Sequence, residues 1–363
     1  MAGENGNGAI MRGEIAESVN VAARLIADRR RFEAIGTELA RRSPAVVVVA
    51  GRGTSDHAAI YARYLLEHAL GVPVALAAAS LLTQYGIESA SKQSALLAFS
   101  QSGAGPDMIA LVESAKRRGA YSIALTNDAA SGLAAAADAT ADLDAGPERA
   151  VAATKTYLAE LISVALIAAA AARAVGRDGS WAEEFNSLPN RMQAALDSAR
   201  MWLANSADTP VVRALHGGNR ALVVGRGFEY PNALELALKL RETTAMFADG
   251  YSAADLLHGP IASASADVAS IALSTDPATE KSIDGSLDRL RAAGAPLLLI
   301  RSDASGSRRM DRDEELVLPT GPHGPLCTPV TAIAGLAIIE SVATGRGLNP
   351  DAPQGLTKVT KTL

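Results

Sequence analysis

The run VVVVAGRG (Val46–Gly53) sets four β-branched residues against an abrupt glycine–arginine–glycine stop, and AAIYARYLLEHAL follows at helical spacing. Consecutive valines suit a strand buried on both faces, and the segment after the glycines reads as a helix packed beside it. The pattern recurs far along the chain, where ALVVGRG (Ala221–Gly227) precedes PNALELALKLRE. The two GRG triplets begin at Gly51 and Gly225, an offset of 174 residues. The same offset carries Ser100, closing LLAFS, onto Ser274, closing SIALS. An offset of 175 carries GAYSIALTND (Gly119–Asp128) onto GAPLLLIRSD (Gly294–Asp303), and LDAGPE (Leu143–Glu148) onto LPTGPH (Leu318–His323). A period this long marks a duplicated domain rather than a solenoid. Strand–helix alternation predicts an α/β fold with two doubly wound parallel sheets, each flanked by helices. The expected boundaries are an N-terminal helical segment over 1–42, a first domain with a connector helix over 43–200, a second domain over 201–350 and a tail over 351–363.

The chain has 363 residues, 48% of them hydrophobic, and a formal net charge of −5. Its mean hydropathy is +0.13 and its pI about 5.6. An acidic balance argues against nucleic acid as a partner, so an anionic ligand needs local recognition. Cys327 is the single cysteine, which leaves no disulfide framework and makes a reducing cytoplasm the expected location. The opening MAGENGNGAIMRGEIAES is polar and glycine-rich, unlike a signal peptide. YLAELISVALIAAAAARAVG is long enough to span a bilayer, but Glu160 and the alanines read as a packed helix, so no membrane is expected.

The strand-end loops differ between the copies. They read GRGTSDH and SQSGAGPD in the first, GRGFEYP and STDPATE in the second. Turns alone would let both copies share one chemistry. Instead Thr54, Ser55, Ser100 and Ser102 have no hydroxyl-rich counterparts, which points to one phosphate site, in the first domain.

GRGTS, SQSG, PERAVAATK, GRGFEYPNALELALKLRE, the HGP at 258–260 and the tail DAPQGLTKVTKTL together resemble the sugar isomerase (SIS) domain proteins. The closer likeness is to the two-SIS isomerase half of the glucosamine-6-phosphate synthases and to their stand-alone deaminase relatives. The resemblance runs from Gly51 to Leu363. It implies that Thr54, Ser55, Ser100, Gln101 and Ser102 hold the phosphate and nearby sugar oxygens, and that the backbone around Val151 and Thr357 lines the sugar. It also implies a homodimer in which His258 enters the partner's site. Gly105 departs from the family, which usually carries Ser or Thr there. That loss implies a phosphate site that persists through the backbone N–H but is weaker, or tuned to another sugar.

Moving a proton between C1 and C2 of a sugar phosphate needs a base, a ring-opening group and a cation beside the enediol or imine. Glu242 ends the helix ALELALKLRE and is expected to face the strand-end crevice, although a helix-end glutamate is more often merely solvated. Glu235, earlier on that helix, is assigned to structure. Lys239 reads both as its i,i+4 partner and, by the resemblance, as a neighbour of the sugar. His258 has an ionisation range suited to ring opening and stands before a Gly-Pro turn, where a plain surface histidine is the alternative. Its distance of 16 residues from Glu242 (258 − 242) agrees with the family. Lys358 aligns with the family's tail lysine, which caps the site; Lys361, one turn on, is the false candidate. Neither a metal-ligand pattern nor GxGxxG is present, so neither metal nor nucleotide cofactor is expected.

About 40 residues precede the first strand and Cys327 lies deep in the second domain, so no glutaminase half is expected. The resulting expectation is an aldose–ketose isomerase or deaminase, first of all glucosamine 6-phosphate to fructose 6-phosphate and ammonia. The alternatives are another amino-sugar or fructosamine phosphate, and a non-catalytic sugar-phosphate sensor.

Overall fold

The computed structural model describes residues 6–303, 314–321 and 324–358. Helices α1 (Ala9–Ala27) and α2 (Arg30–Arg42) open the chain. The described residues divide into two compact units, one of 20–148 with 155–186, the other of 6–19, 149–154 and those from 187 to 358.

The first unit is built on β1 (Val46–Ala50), β2 (Val74–Leu76), β3 (Ser94–Phe99), β4 (Tyr121–Thr126) and β5 (Ala139–Asp142), ordered β2-β1-β3-β4-β5 and all parallel. Helix α3 (Thr54–Leu70) leaves β1 and packs with α2 and α7 (Lys155–Ala174). Helices α4 (Ala79–Thr83), α5 (Pro106–Arg117) and α6 (Gly132–Ala136) cover the other face through Ala79, Met108, Val112 and Leu133. The second unit carries β6 (Arg220–Gly225), β7 (Phe247–Ser252), β8 (Ala269–Ser274), β9 (Leu297–Ser302) and β10 (Glu314–Leu318), ordered β10-β9-β8-β6-β7. Read from its other edge, this is the order of the first sheet, so the repeat in sequence is a repeat of topology. Its helices are α8 (Leu188–Asn205), α9 (Pro210–Gly217), α10 (Tyr230–Thr244), α11 (Ala253–Leu257), α12 (Glu280–Ala292) and α13 (Gly324–Gly345), with α13 packed between α8 and α10.

In both sheets the chain starts from an interior strand, β1 or β6, and winds outward from it in two directions. The gaps between β1 and β3, and between β6 and β8, are therefore the switch points where βα loops diverge and leave a crevice. The GRG stops are steric necessities: a Cβ on Gly51 would lie 2.3 Å from the Ser55 carbonyl oxygen, and one on Gly225 2.3 Å from that of Glu229. Helices α7 and α13 are each long and apolar enough to cross a bilayer, yet 89% and 94% of their apolar windows are buried inside the protein.

Candidate active site

In the first unit both hydroxyl-rich loops flank the β1/β3 switch point. Thr54 opens α3, half-buried. The Ser55 hydroxyl is buried and donates to Glu160 Oε1 of α7 at 2.7 Å, so its proton is engaged within the core. The Ser100 carbonyl accepts from Gly103 N–H at 3.1 Å, and that of Gln101 from Asn127 N–H at 3.0 Å. Ser102 Oγ accepts from Ala104 N–H at 3.3 Å. Gly103, at φ 58°, leaves no room for a side chain, since a Cβ would meet Ser131 Oγ at 2.1 Å. An ion pair illegible in the sequence joins the loops: Arg52 Nε donates to Asp107 Oδ2 at 2.9 Å. Asp107 is buried in the first turn of α5, where its charge competes with any bound anion, and Arg52 offsets that charge.

Gly105 is the N-cap of α5, with φ −67°, ψ 118° and no side-chain cap. This is ordinary backbone for any residue, and the nearest atom to an added Cβ is Asp107 Oδ1 at 3.3 Å. Gly105→Ser is therefore expected to fold normally, stabilise α5 by a few tenths of a kcal/mol, and tighten inorganic phosphate by about 1 kcal/mol, roughly fivefold. Calorimetric titration checks it; unchanged phosphate affinity would show that residue 105 faces away from the anion.

The second unit uses the same loop positions differently. Glu229, offset by 174 from Ser55, is fully buried; it accepts from Asn232 Nδ2 and Thr275 Oγ1, each at 2.8 Å, and Thr275 Oγ1 is 2.9 Å from Thr331 Oγ1 of α13. The first copy thus pairs a loop hydroxyl with a helix carboxylate, whereas the second pairs a loop carboxylate with hydroxyls. Asp276 is also buried, and so is Cys327, whose thiol burial pushes well up. At the 174-residue offset the buried acids Glu229 and Asp276 thus stand at the positions that Ser55 and Ser102 hold in the first copy.

Burial raises Glu229 from 4.5 to about 7, opposed in part by its hydrogen bonds from Asn232, Thr275 and Thr331. The folded chain then keeps this proton while the unfolded chain releases it, so stability falls as pH rises from 4.5 to about 7 and levels off above. Glu229→Gln is expected to remove about 3 kcal/mol of that slope. Urea titrations at pH 5 and pH 8 measure it, and an identical pH difference in both proteins would refute it.

Glu242 lies elsewhere than expected. Helix α10 starts beyond the carboxyl end of β6 and its last turn, closed by left-handed Ala245, feeds β7, which runs parallel to β6. Glu242 therefore stands at the amino edge of its own sheet rather than in the strand-end crevice. There it is paired with Lys239, which also lies 3.5 Å from Glu235. Lys239 is 1% exposed and Glu235 0%, while Glu242 keeps 24% of its side chain open. Two carboxylates on one buried ammonium hold Glu242 in a single orientation. His258 is exposed at the end of α11, its N–H on the Asp255 carbonyl at 3.1 Å, before Gly259 at φ 142°.

The tail is the clearest convergence. Lys358 Nζ donates to the Ala150 carbonyl at 2.7 Å, and Val151 N–H donates to the Asp351 carbonyl at 2.9 Å. Lys358 and the Val151 segment, named separately from the sequence, are thus neighbours, with exposed Thr357 adjoining. Sequence reasoning missed what anchors them. The Asp351 carboxylate caps α1, accepting from Met11 N–H at 2.7 Å and Ile10 N–H at 3.2 Å. Glu14 accepts from the Arg149 and Ala150 N–H groups, and Arg12 pairs with buried Glu340 at 2.7 Å. Lys361 lies outside the described residues. Among the described residues no group of three His, Cys, Asp or Glu side chains could hold a metal ion.

Two parallel sheets of one winding order, with hydroxyl-rich loops at the switch point of the first, define a duplicated α/β protein. The SIS domain model matches residues 42–170 and 214–340, and the chain belongs to the SIS domain family. Glutamine–fructose-6-phosphate aminotransferase (isomerizing) of Symbiobacterium thermophilum is 32% identical over 314 residues, which cover 86% of this chain and 51% of that protein. The chain thus spans about half the length of the curated relatives it matches. A crystal structure described as a candidate phosphosugar isomerase from Silicibacter pomeroyi is 30% identical, with a TM-score of 0.80 over 94% of this chain and 99% of that one. The C-terminal domain of glucosamine-fructose-6-phosphate aminotransferase from Francisella tularensis shares the fold, with a TM-score of 0.84 at 22% identity over 97% of this chain and 100% of that one.

Proposed function

We propose that the protein is a phosphosugar aldose–ketose isomerase of deaminase type, converting glucosamine 6-phosphate and water to fructose 6-phosphate and ammonia. The observation that carries this reading is the seat of Lys358 on the Ala150 carbonyl beside Val151, which puts a cation at a segment suited to lining a sugar. Thr54, Ser100, Ser102 and the N–H groups near Gln101 and Gly105 hold the phosphate, with Ser55 bracing the loop through Glu160. His258 protonates the ring oxygen and opens the pyranose. Glu242, oriented by Lys239, takes the C2 proton and returns it to C1. The resulting ketimine is hydrolysed, releasing ammonia, while the Lys358 ammonium stabilises negative charge on the open chain. Gly105 favours a second reading, in which the missing hydroxyl tunes the site to another amino-sugar or fructosamine phosphate.

Incubation with glucosamine 6-phosphate, following ammonia and fructose 6-phosphate together, is expected to show both in equal amounts. Turnover of fructosamine 6-phosphate alone supports the second reading, and binding without turnover of either makes the protein a sensor.

The exposed HGP turn supports a homodimer in which His258 completes the partner's site. Glu242→Gln and His258→Asn homodimers are then expected to be nearly inactive. Their mixed dimer has one site with both lesions and one with neither, so the doubly tagged, purified species recovers about half of wild-type activity. A silent mixed dimer refutes the shared site.

A further inference from the structure

The duplication allows the same core to be compared with itself. In the second unit, the layer of α11 and α12 over the sheet is filled by Leu222, Leu256, Leu287, Leu290 and Leu299, with Tyr251 packed at its edge. At the 174-residue offset Leu222 becomes Val48 and Tyr251 becomes Ala77; at 175, Leu290 becomes Ala115 and Leu299 becomes Ala124. The burial pattern supports this register, since Met108, Val112 and Ala115 of α5 are buried as Ile283, Leu287 and Leu290 of α12 are. Val48, Ala77 and Ala115 are thus smaller than their counterparts, while Leu96 and Leu111 are larger than Ser270 and Ser286, and the layer of α4 and α5 holds a cavity of about 310 Å³ walled in part by these five residues.

The mouth of this cavity is apolar as well. Leu76 is 41%, Leu81 40% and Ile87 52% exposed, whereas Ile261, the counterpart of Ile87, is 9% exposed. Proteins seldom leave such side chains clustered in water without a partner. One carboxylate stands in the wall. Glu88 Oε1 accepts from Ser114 Oγ at 3.0 Å and from Arg117 at 2.8 Å, and among the described residues no hydrogen bond reaches Oε2. A dry cavity of about half this volume admits benzene, and cavities of about 300 Å³ and above hold small ligands.

We propose that this cavity binds a compact bicyclic apolar molecule carrying one hydrogen-bond donor, with its body against the alanines and its donor on Glu88 Oε2. The site is independent of the phosphosugar reading, because it shares none of the residues assigned there.

Indole has the required shape and one N–H; indene has the shape without the donor. Indole is expected to raise the Tm of the full chain saturably, and to bind at least fivefold more tightly than indene by calorimetry. The variant Ala77→Tyr/Ala115→Leu carries the second copy's residues into the cavity. It is expected to melt a few degrees higher than wild type without ligand and to lose the indole response. Should the double variant fail to fold, Ala115→Leu alone is expected to weaken indole at least tenfold. No saturable shift in wild type, or an undiminished shift in the filled variant, overturns the proposal. Equal affinity for indole and indene overturns the role of Glu88. A change of oligomeric state on filling, read by light scattering, would mean that a second copy of the chain covers this face, and would overturn the ligand.

Discussion

Glu242→Gln is expected to lower kcat by roughly 10²–10⁴-fold while KM for the sugar phosphate changes little. The amide keeps the shape of the side chain and can still accept from Lys239, but it cannot take a proton from carbon. Glu235 is the internal control, since it stands on the same helix, on the same lysine, yet is wholly buried. Glu235→Gln leaves a buried ammonium with one carboxylate in place of two, so its effect falls on stability, at about 3 kcal/mol. Turnover per folded molecule, measured beside urea unfolding, separates the two. Comparable losses of kcat in both variants would mean that the triad Glu235–Lys239–Glu242 is a structural brace and that the base lies elsewhere.

Lys358→Met is the second large effect, with kcat expected to fall by roughly 10²–10³-fold, the scale of losing one donor to a developing negative charge. Methionine keeps the apolar stem and removes the ammonium that now donates to the Ala150 carbonyl. A companion variant distinguishes chemistry from placement. Asp351→Ala keeps Lys358 but removes the cap on Ile10 and Met11, costing about 1 kcal/mol of stability and loosening the tail. Its kcat is expected to fall less than that of Lys358→Met and to recover partly in Asp351→Asn, which retains a capping oxygen. Full activity in Lys358→Met would return the tail lysine to a merely solvated residue.

The duplication was legible because it rests on local rules: β-branched runs make buried strands, glycine permits the close turn after β1 and β6, and both recur at nearly one offset. Strand-end serines and glycines likewise mark the loops at the first switch point, because both residue types follow local turn rules. The amino-edge position of Glu242 follows from the parallel winding itself, because a helix that leaves β6 at its carboxyl end finishes at the opposite edge, where it feeds the parallel β7.

Residues joined across long stretches of chain lay further out of reach. Asp351 and Met11 are 340 positions apart, and a carboxylate in a polar tail looks like any other until the fold brings it to the start of α1. The exchange of Ser55–Glu160 for Glu229–Thr275 is invisible for a related reason: each partner alone reads as a surface polar residue, and only burial obliges them to pair. Sequence by itself determined the sheets, their repetition and the hydroxyl loops, because spacing and side-chain shape act over a few residues. Tertiary structure decided which carboxylates are buried, which is presented by a lysine, and what holds the tail, because those depend on contacts that chain order does not encode.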